Sequence, residues 1–187
     1  MLPPLAAVIT AGGASRRFGR DKALAVLNGQ TLLERVAASL DACTPRLIVA
    51  APGKYDLDGW QCVPDTRPGE GPLAGLEAGL LALPGGWAAF AAVDLPHLTP
   101  AFWMVLAQHC QDGKQAIVGH SADGRAQPLA ALYHASALST VSGLLDANER
   151  RMTALLAALE VVNVAWPELE SAAPRAYWNV NRVGDLG

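Results

Sequence analysis

Residues 5–27 read LAAVITAGGASRRFGRDKALAVL, and this stretch decides how the rest of the chain can fold. It begins with an apolar run that ends at Ala11, continues into Gly12-Gly13 and a cationic segment, and then becomes apolar again. Such a run is typical of a strand buried on both faces, and adjacent glycines let the backbone approach a ligand closely. The pattern predicts a strand followed by an anion-binding loop, although local composition alone fits an ordinary solvated turn equally well.

The overall composition favours one compact domain over residues 1–187. The chain is 51% hydrophobic and 17% charged, which is enough for one buried core but short for two domains. A net charge of -3 gives no general attraction to nucleic acid or to an acidic membrane. Three widely spaced cysteines without a CxxC pattern favour reduced thiols over disulfides or a zinc site. We therefore expect a cytoplasmic protein with no nucleic-acid or membrane partner.

Apolar runs alternate with segments of helical periodicity along most of the chain. Strands are predicted at residues 5–11, 46–51, 61–64, 87–93, 115–118, 129–133 and 161–164, and helices at 32–41, 72–83, 99–110, 135–145 and 149–159. This alternation predicts an α/β fold with a three-layer, doubly wound, mainly parallel sheet. Ligands of such folds bind beyond the carboxyl ends of the strands, where Gly12, Asp65 and Asp94 are placed.

The glycine loop does not match the two commonest nucleotide-binding motifs. Lys22 is followed by Ala23 rather than by serine or threonine, so the P-loop pattern fails. No G-x-G-x-x-G pattern runs from Gly12 to Gly19, so the dinucleotide fingerprint fails as well. An anion at this loop must be bound by another arrangement.

Residues 10–36, TAGGASRRFGRDKALAVLNGQTLLERV, resemble the opening of the molybdenum cofactor guanylyltransferases, the MobA family. Four further segments resemble the same family in the same order: PGEGPLAGLEAGL at 68–80, VDLPHLTP at 93–100, RAQPLAALY at 125–133 and NVNRVGDL at 179–186. The resemblance implies a single domain with a Rossmann-like nucleotidyltransferase fold. It also implies transfer of GMP from GTP to the phosphate of molybdenum-loaded molybdopterin, with release of pyrophosphate. Thr10 and Phe18 depart from the family's usual leucine and methionine.

The resemblance further implies roles for individual residues. The nucleotide would be bound by Thr10, Ala11, Gly12, Gly13, Lys22, Asp65 and Asp94, and the expected catalytic residues are Lys22, Arg16 and Asp94. Asp94 would bind Mg²⁺, the implied cofactor, since this hard cation takes one or two carboxylates together with phosphate oxygens. Both aspartates, however, stand where one could instead cap a helix or initiate a turn.

The acceptor side of the site is less sharply indicated. Gln127, Asn179 and Asn181 are the candidates for binding molybdopterin, although asparagines in a turn are also common structural devices. The Glu149-Arg150-Arg151 segment could attract the acceptor's phosphate or simply begin a solvated helix. The resemblance implies GTP and molybdopterin as substrates and transient contact with molybdoenzymes or their chaperones. It leaves the oligomeric state open.

Two other functions remain open from the sequence. A related enzyme could use CTP or another acceptor, as a molybdopterin cytidylyltransferase or a sugar-phosphate nucleotidyltransferase does. Residues 50–53 read AAPG where relatives often offer an asparagine to the nucleotide, so base selection is less certain than phosphate binding. A catalytically inactive carrier of the pterin cofactor is the other alternative. Retention of both Lys22 and Asp94 favours an enzyme over a carrier.

Overall fold

The computed structural model describes residues 1–11, 21–181 and 183–186, so the predicted roles of Gly12, Gly13 and Arg16 lie outside the described residues. The strands are β1 (Leu5–Thr10), β2 (Val26–Leu27), β3 (Gln30–Thr31), β4 (Arg46–Val49), β5 (Gln61–Val63), β6 (Trp87–Ala92), β7 (Ala116–His120), β8 (Ala126–His134) and β9 (Val161–Val164). The helices are α1 (Leu32–Ala38), α2 (Pro72–Leu81), α3 (Pro100–Ala107), α4 (Leu138–Asp146), α5 (Met152–Ala158) and α6 (Trp166–Glu170). Short 3-10 turns occupy Lys22–Leu24, Ala135–Ala137 and Val183–Leu186.

A seven-stranded sheet with the order β5-β4-β1-β6-β8-β7-β9 forms the centre of the molecule. β1 pairs in parallel with β4 on one side and with β6 on the other. β8 is antiparallel to both of its neighbours, β6 and β7. Its direction follows from the short turn at 121–125, because a parallel pair requires a crossover of a dozen or more residues. The predicted α/β fold with a mainly parallel sheet is confirmed.

Helices cover both faces of this sheet because successive side chains of its strands point to opposite sides. In β1, Ile9 belongs to a buried cluster that includes Leu32 of α1 and Phe102 of α3. Its neighbour Val8 belongs to a second cluster that includes Leu73 of α2 and further residues of α4 and α5. The three predicted layers are therefore present. In the described parts of the chain, no helix has the length and apolar character needed to cross a membrane.

Local sequence signals explain where several elements begin. Thr31 and Glu34 form the predicted capping box, in which the Thr31 hydroxyl accepts from the Glu34 N–H and the Glu34 carboxylate accepts from the Thr31 N–H. Asn28 and Gly29 have φ values of 52° and 83°, which suit the tight turn of the small β2–β3 hairpin. The sequence pattern does not predict this hairpin, since each of its strands has two residues and shows no alternation.

The fifth helix begins later than predicted. The Glu149 carboxylate accepts the N–H groups of Arg150 and Arg151 at 2.9 Å, and this turn replaces the first turn of the predicted helix. The helix therefore starts at Met152. Arg150 also contacts Glu70 at 2.8 Å, so the loop before α5 is attached to the loop before α2.

Helix α2 packs unusually closely on β1, because two of its positions are glycine. All residues from Leu73 to Leu80 are buried. A Cβ atom at Gly75 would lie 2.7 Å from the Thr10 Oγ1 atom, and one at Gly79 would lie 2.5 Å from a Val8 methyl group. The glycines, which lower intrinsic helix propensity, thus permit a contact that a larger residue would prevent. This contact holds the start of α2 directly behind the end of β1.

We expect Gly79→Ala to lower the free energy of unfolding by about 1–3 kcal/mol, because the added methyl group overpacks the α2–β1 contact. Gly143→Ala is the matched control, since Gly143 lies exposed in α4 with nothing near the added Cβ. That change should raise stability by about 0.5–1 kcal/mol through helix propensity. Urea unfolding of the two variants measures both effects. Equal stability of the two would show that the α2–β1 contact adapts freely.

Candidate functional site

The candidate site lies at the carboxyl edge of the sheet, where β1 and β6 end side by side. The Thr10 carbonyl, at the end of β1, accepts a 3.1 Å hydrogen bond from the Val93 N–H just beyond β6. Ala11 is buried and leads into the glycine loop, and Asp94 follows Val93 on the other strand. This register brings the base of the predicted phosphate loop next to the predicted metal ligand.

Lys22 and Asp94, both predicted from the sequence, meet at this edge. The Lys22 Nζ atom lies 3.3 Å from the Asp94 Oδ2 atom, and the two side chains are 18% and 23% exposed. The second carboxylate oxygen of Asp94, Oδ1, is buried and finds no hydrogen-bond partner among the residues that the structure describes. A buried, unpaired carboxylate oxygen is costly unless something binds it. The site therefore offers both a cation for phosphate and a free oxygen ligand.

The C-terminal segment joins the same site. The Asn181 Oδ1 atom accepts a 3.3 Å hydrogen bond from Lys22, and the Val180 N–H donates to the Asp94 carbonyl at 3.0 Å. Asn179, two residues earlier, is exposed. Of the two predicted acceptor-binding asparagines, Asn181 is thus brought into contact with Lys22, which was predicted to bind the nucleotide.

Asp21, which the sequence did not mark as a site residue, attaches the chain beside Lys22 to Lys54 and Tyr55. Asp21 accepts hydrogen bonds from the Tyr55 hydroxyl at 2.9 and 3.0 Å and lies 2.9 Å from the Lys54 ammonium group. Burial raises the pKa of Asp21, but the bonds from Lys54, Tyr55 and the Ala23 N–H outweigh this and leave the pKa below its usual value. Asp21 therefore stays ionised. It attaches the chain just before Lys22 to the segment that follows β4.

Asp65 lies at the end of β5, as predicted, and it initiates a turn. Its Oδ1 atom accepts the N–H of Arg67 at 2.9 Å, which is the alternative role that the sequence left open. The side chain is half-buried. Contact with the nucleotide through its other oxygen stays a prediction.

A partly buried ion pair holds the loop between β5 and α2, which contains the PGEG half of the PGEGPLAG segment. The Arg67 guanidinium donates to both carboxylate oxygens of Glu77, at 2.9 and 3.1 Å, and to Asp146 at 2.7 Å. Glu77 is 4% exposed. Burial raises the pKa of Glu77, but hydrogen bonds from Ser142, Arg67 and Thr66 outweigh it and place the pKa below its usual value. We call this arrangement of Arg67, Glu77 and Asp146 the loop clamp.

Gln127, the remaining predicted acceptor-binding residue, lines an open cavity of about 360 Å³. The cavity lies at the same edge of the sheet, because β7 runs parallel to β6 and β8 returns from its end. Trp166, Tyr177 and Trp178 form aromatic walls, and the Gln127 amide donates to Ser121 at 2.9 Å. Flat aromatic surfaces beside polar groups suit a polar ring system.

The described residues contain no group of three or more histidine, cysteine, aspartate or glutamate side chains placed to hold a metal ion. An all-protein metal cage is therefore not formed by residues 1–11, 21–181 and 183–186. The free Oδ1 atom of Asp94 instead suits a hard cation that takes one carboxylate and completes its shell with phosphate oxygens.

A doubly wound sheet that brings a lysine and an aspartate together beyond the carboxyl ends of its central strands fits a nucleotidyltransferase. A family model, the MobA-like NTP transferase domain, matches residues 7–163. The chain belongs to this family. The resemblance that was drawn from five segments of the sequence is confirmed.

Individual relatives agree with this membership. A probable molybdenum cofactor guanylyltransferase of Deinococcus radiodurans is 49% identical, over 98% of this chain and 92% of its own. A protein of the same description from Opitutus terrae is 40% identical, over 94% and 90%. The crystal structure of molybdopterin-guanine dinucleotide biosynthesis protein A from Archaeoglobus fulgidus superposes with a TM-score of 0.80 at 25% identity, over 97% and 95%.

We expect Glu77→Gln to lower the free energy of unfolding by about 1–3 kcal/mol at pH 7, since the amide carries no charge and offers Arg67 one acceptor oxygen where the carboxylate offers two. The folded-state pKa of Glu77 lies below its usual value, so the carboxylate stabilises the fold above about pH 4.5 and loses this effect as the pH falls further. The difference between wild type and variant should therefore shrink below pH 4.5. Denaturant unfolding from pH 7 to pH 3 tests it.

Glu160→Gln is the control for the loop clamp, because its contact with Lys114 is exposed. Exposed ion pairs contribute little to stability. A pH-independent loss in Glu77→Gln, or an equal loss in Glu160→Gln, would contradict the importance assigned to the clamp.

Proposed function

We propose that this nucleotidyltransferase transfers GMP from GTP to the phosphate of molybdenum-loaded molybdopterin, forming molybdenum guanine dinucleotide cofactor and pyrophosphate. The observation that carries the proposal is the contact between Lys22 and Asp94 at the carboxyl edge, where the other Asp94 oxygen has no hydrogen-bond partner in the described part of the chain. Two relatives that are 49% and 40% identical over nearly the whole chain are named as probable molybdenum cofactor guanylyltransferases, which supports the choice of substrates.

The nucleotide lies across the end of β1 in this proposal. Backbone groups from Thr10 to Gly13 approach the phosphates, and the Lys22 ammonium group neutralises their charge. Arg16 stabilises the leaving pyrophosphate as a fork of donors. Asp65, at the end of β5, contacts the nucleoside from the loop that Arg67 and Glu77 hold in place.

Asp94 would hold Mg²⁺ through its free oxygen, while Lys22 occupies the other one. When bound there, the ion would supply positive charge that stabilises the negative charge of the phosphates. Lys22 supplies a second positive charge beside it. Two polyanions, the triphosphate and the acceptor phosphate, can approach one another only where such charges are concentrated.

The reaction needs no activated nucleophile from the protein. An oxygen of the acceptor phosphate attacks the α-phosphorus of GTP, the bond from that phosphorus to the bridging oxygen breaks, and pyrophosphate leaves with the electron pair. The described residues contribute by binding, orienting and charge stabilisation, which are the main sources of catalysis in phosphoryl-type transfers.

The acceptor binds next to Asp94, toward the cavity lined by Gln127 and the aromatic residues. Trp178 supports this placement, because it lies in the segment that reaches Asp94 through the Val180 N–H, and its ring lies 6.5 Å from that of His97. Asn179 is exposed in the same segment and remains a candidate contact. A product formed here passes to a molybdoenzyme or its chaperone by transient contact, in the cytoplasm.

Incubation of the protein with Mg²⁺, molybdopterin and each nucleoside triphosphate separately tests the proposal. We expect pyrophosphate release with GTP and a guanine dinucleotide as the product identified by mass spectrometry. Much faster consumption of CTP would assign the chain to the cytidylyltransferases. Absence of turnover with every nucleotide, together with tight binding of molybdopterin, would favour the carrier.

Asp94→Asn should lower kcat by at least about 100-fold, because it removes the charge that holds the metal ion. Asp41→Asn is the control, since Asp41 is 72% exposed and contacts Arg46 near the opposite edge of the sheet. It should leave turnover unchanged. Pyrophosphate release measures both variants, and thermal unfolding verifies that each is folded. Unaltered turnover in Asp94→Asn would contradict the assignment of the metal ion to Asp94.

A further inference from the structure

We propose that Asn181 is a positioning residue for Lys22 and so serves the nucleotide side of the site, not the acceptor side. This inference rests on the proposed function, in which Lys22 neutralises the triphosphate. It departs from the expectation, implied by the family resemblance, that both asparagines at 179 and 181 bind the acceptor.

The contact between the two side chains has one chemical interpretation. Lys22 Nζ lies 3.3 Å from Asn181 Oδ1 and 3.3 Å from Asp94 Oδ2. An ammonium group only donates hydrogen bonds, so the amide oxygen of Asn181, not its nitrogen, must face it. Among the residues that the structure describes, these two contacts direct two of the three ammonium hydrogens and leave the third for a phosphate oxygen.

Asn181 is itself fixed from both sides. Its N–H donates to the Asp185 carboxylate at 2.8 Å, and the N–H of the preceding Val180 donates to the Asp94 carbonyl at 3.0 Å. Val180 is 3% exposed and packs in the core. The backbone of Asn181 is therefore held at a set distance from the residue that would bind the metal. Its side chain can fix the direction of a flexible lysine, whose rotamers are costly to order.

The neutrality of asparagine has a consequence for the charge of the site. The charges of Lys22 and Asp94 already sum to zero, so a second carboxylate at this position would give a net charge of about -1 and would repel the triphosphate. An amide oxygen orients Lys22 without adding a second negative charge. The ammonium group then contacts one carboxylate, whose charge a bound cation can offset.

Binding of GTP without any acceptor tests this role. In calorimetric titrations, Asn181→Ala should weaken GTP about fivefold, a factor expected for a partly exposed bond to a charged group. The loss should appear both with Mg²⁺ and with EDTA, because Lys22 meets the phosphates directly. Asn181→Asp should weaken GTP more than Asn181→Ala does. The acceptor KM should be unchanged in Asn181→Ala.

Two comparison variants separate positioning from other roles. In a Lys22→Ala background, Asn181→Ala should cause no further loss of GTP affinity, since the residue that it orients is gone. Asn179→Ala, two residues away, should leave GTP affinity unchanged. Thermal unfolding confirms that each variant is folded before binding is measured.

Three results would overturn the inference. They are a raised acceptor KM with GTP affinity unchanged, a loss of GTP affinity only in the presence of Mg²⁺, and full additivity with Lys22→Ala. Failure of the proposed function is distinguishable from these. If the wild-type protein binds a different triphosphate, the same titrations are made with that triphosphate, and the coupling between Lys22 and Asn181 is tested unchanged.

Discussion

The parallel pairing of β1 with β4 and β6 is the constraint on which the rest of the structure depends. Parallel neighbours must be joined by long crossovers, which places helices on both faces of the sheet and brings the carboxyl ends of the strands to one edge. Lys22 and Asp94 meet because their segments leave that edge from neighbouring strands. The ion pairs of Asp21 with Lys54 and of Arg67 with Glu77 then attach the surrounding loops to this frame.

The sequence predicted those parts of the molecule that are encoded by neighbouring residues. Buried strands show as apolar runs, so the positions of Asp94 and Asp65 just beyond β6 and β5 were predicted correctly. The capping box at Thr31 predicted where α1 starts. Gly75 and Gly79 indicated close approach in a helix otherwise rich in leucine, and the structure identifies β1 as the partner.

Contacts between distant segments could not be predicted in this way. Lys22 and Asn181 are separated by 159 residues, and no spacing rule links them. Glu77 lies on the same helical face as Leu73 and Leu80, where a charged residue is unusual, and the sequence does not show that Arg67 reaches it there from the preceding loop. Helix α6 has five residues, which is too short for a periodic pattern, so it was not predicted.

The attachment of residues 180 and 181 to Asp94 and Lys22 also orders the assembly of the protein in time. During synthesis at about 5–20 residues per second, the segment that contains Asn181 leaves the ribosome many seconds after Lys22. The sheet strands from β1 to β9 are all translated before it. A nascent chain can therefore build its layers first, and Lys22 gains its contact with Asn181 only after residue 181 has been translated.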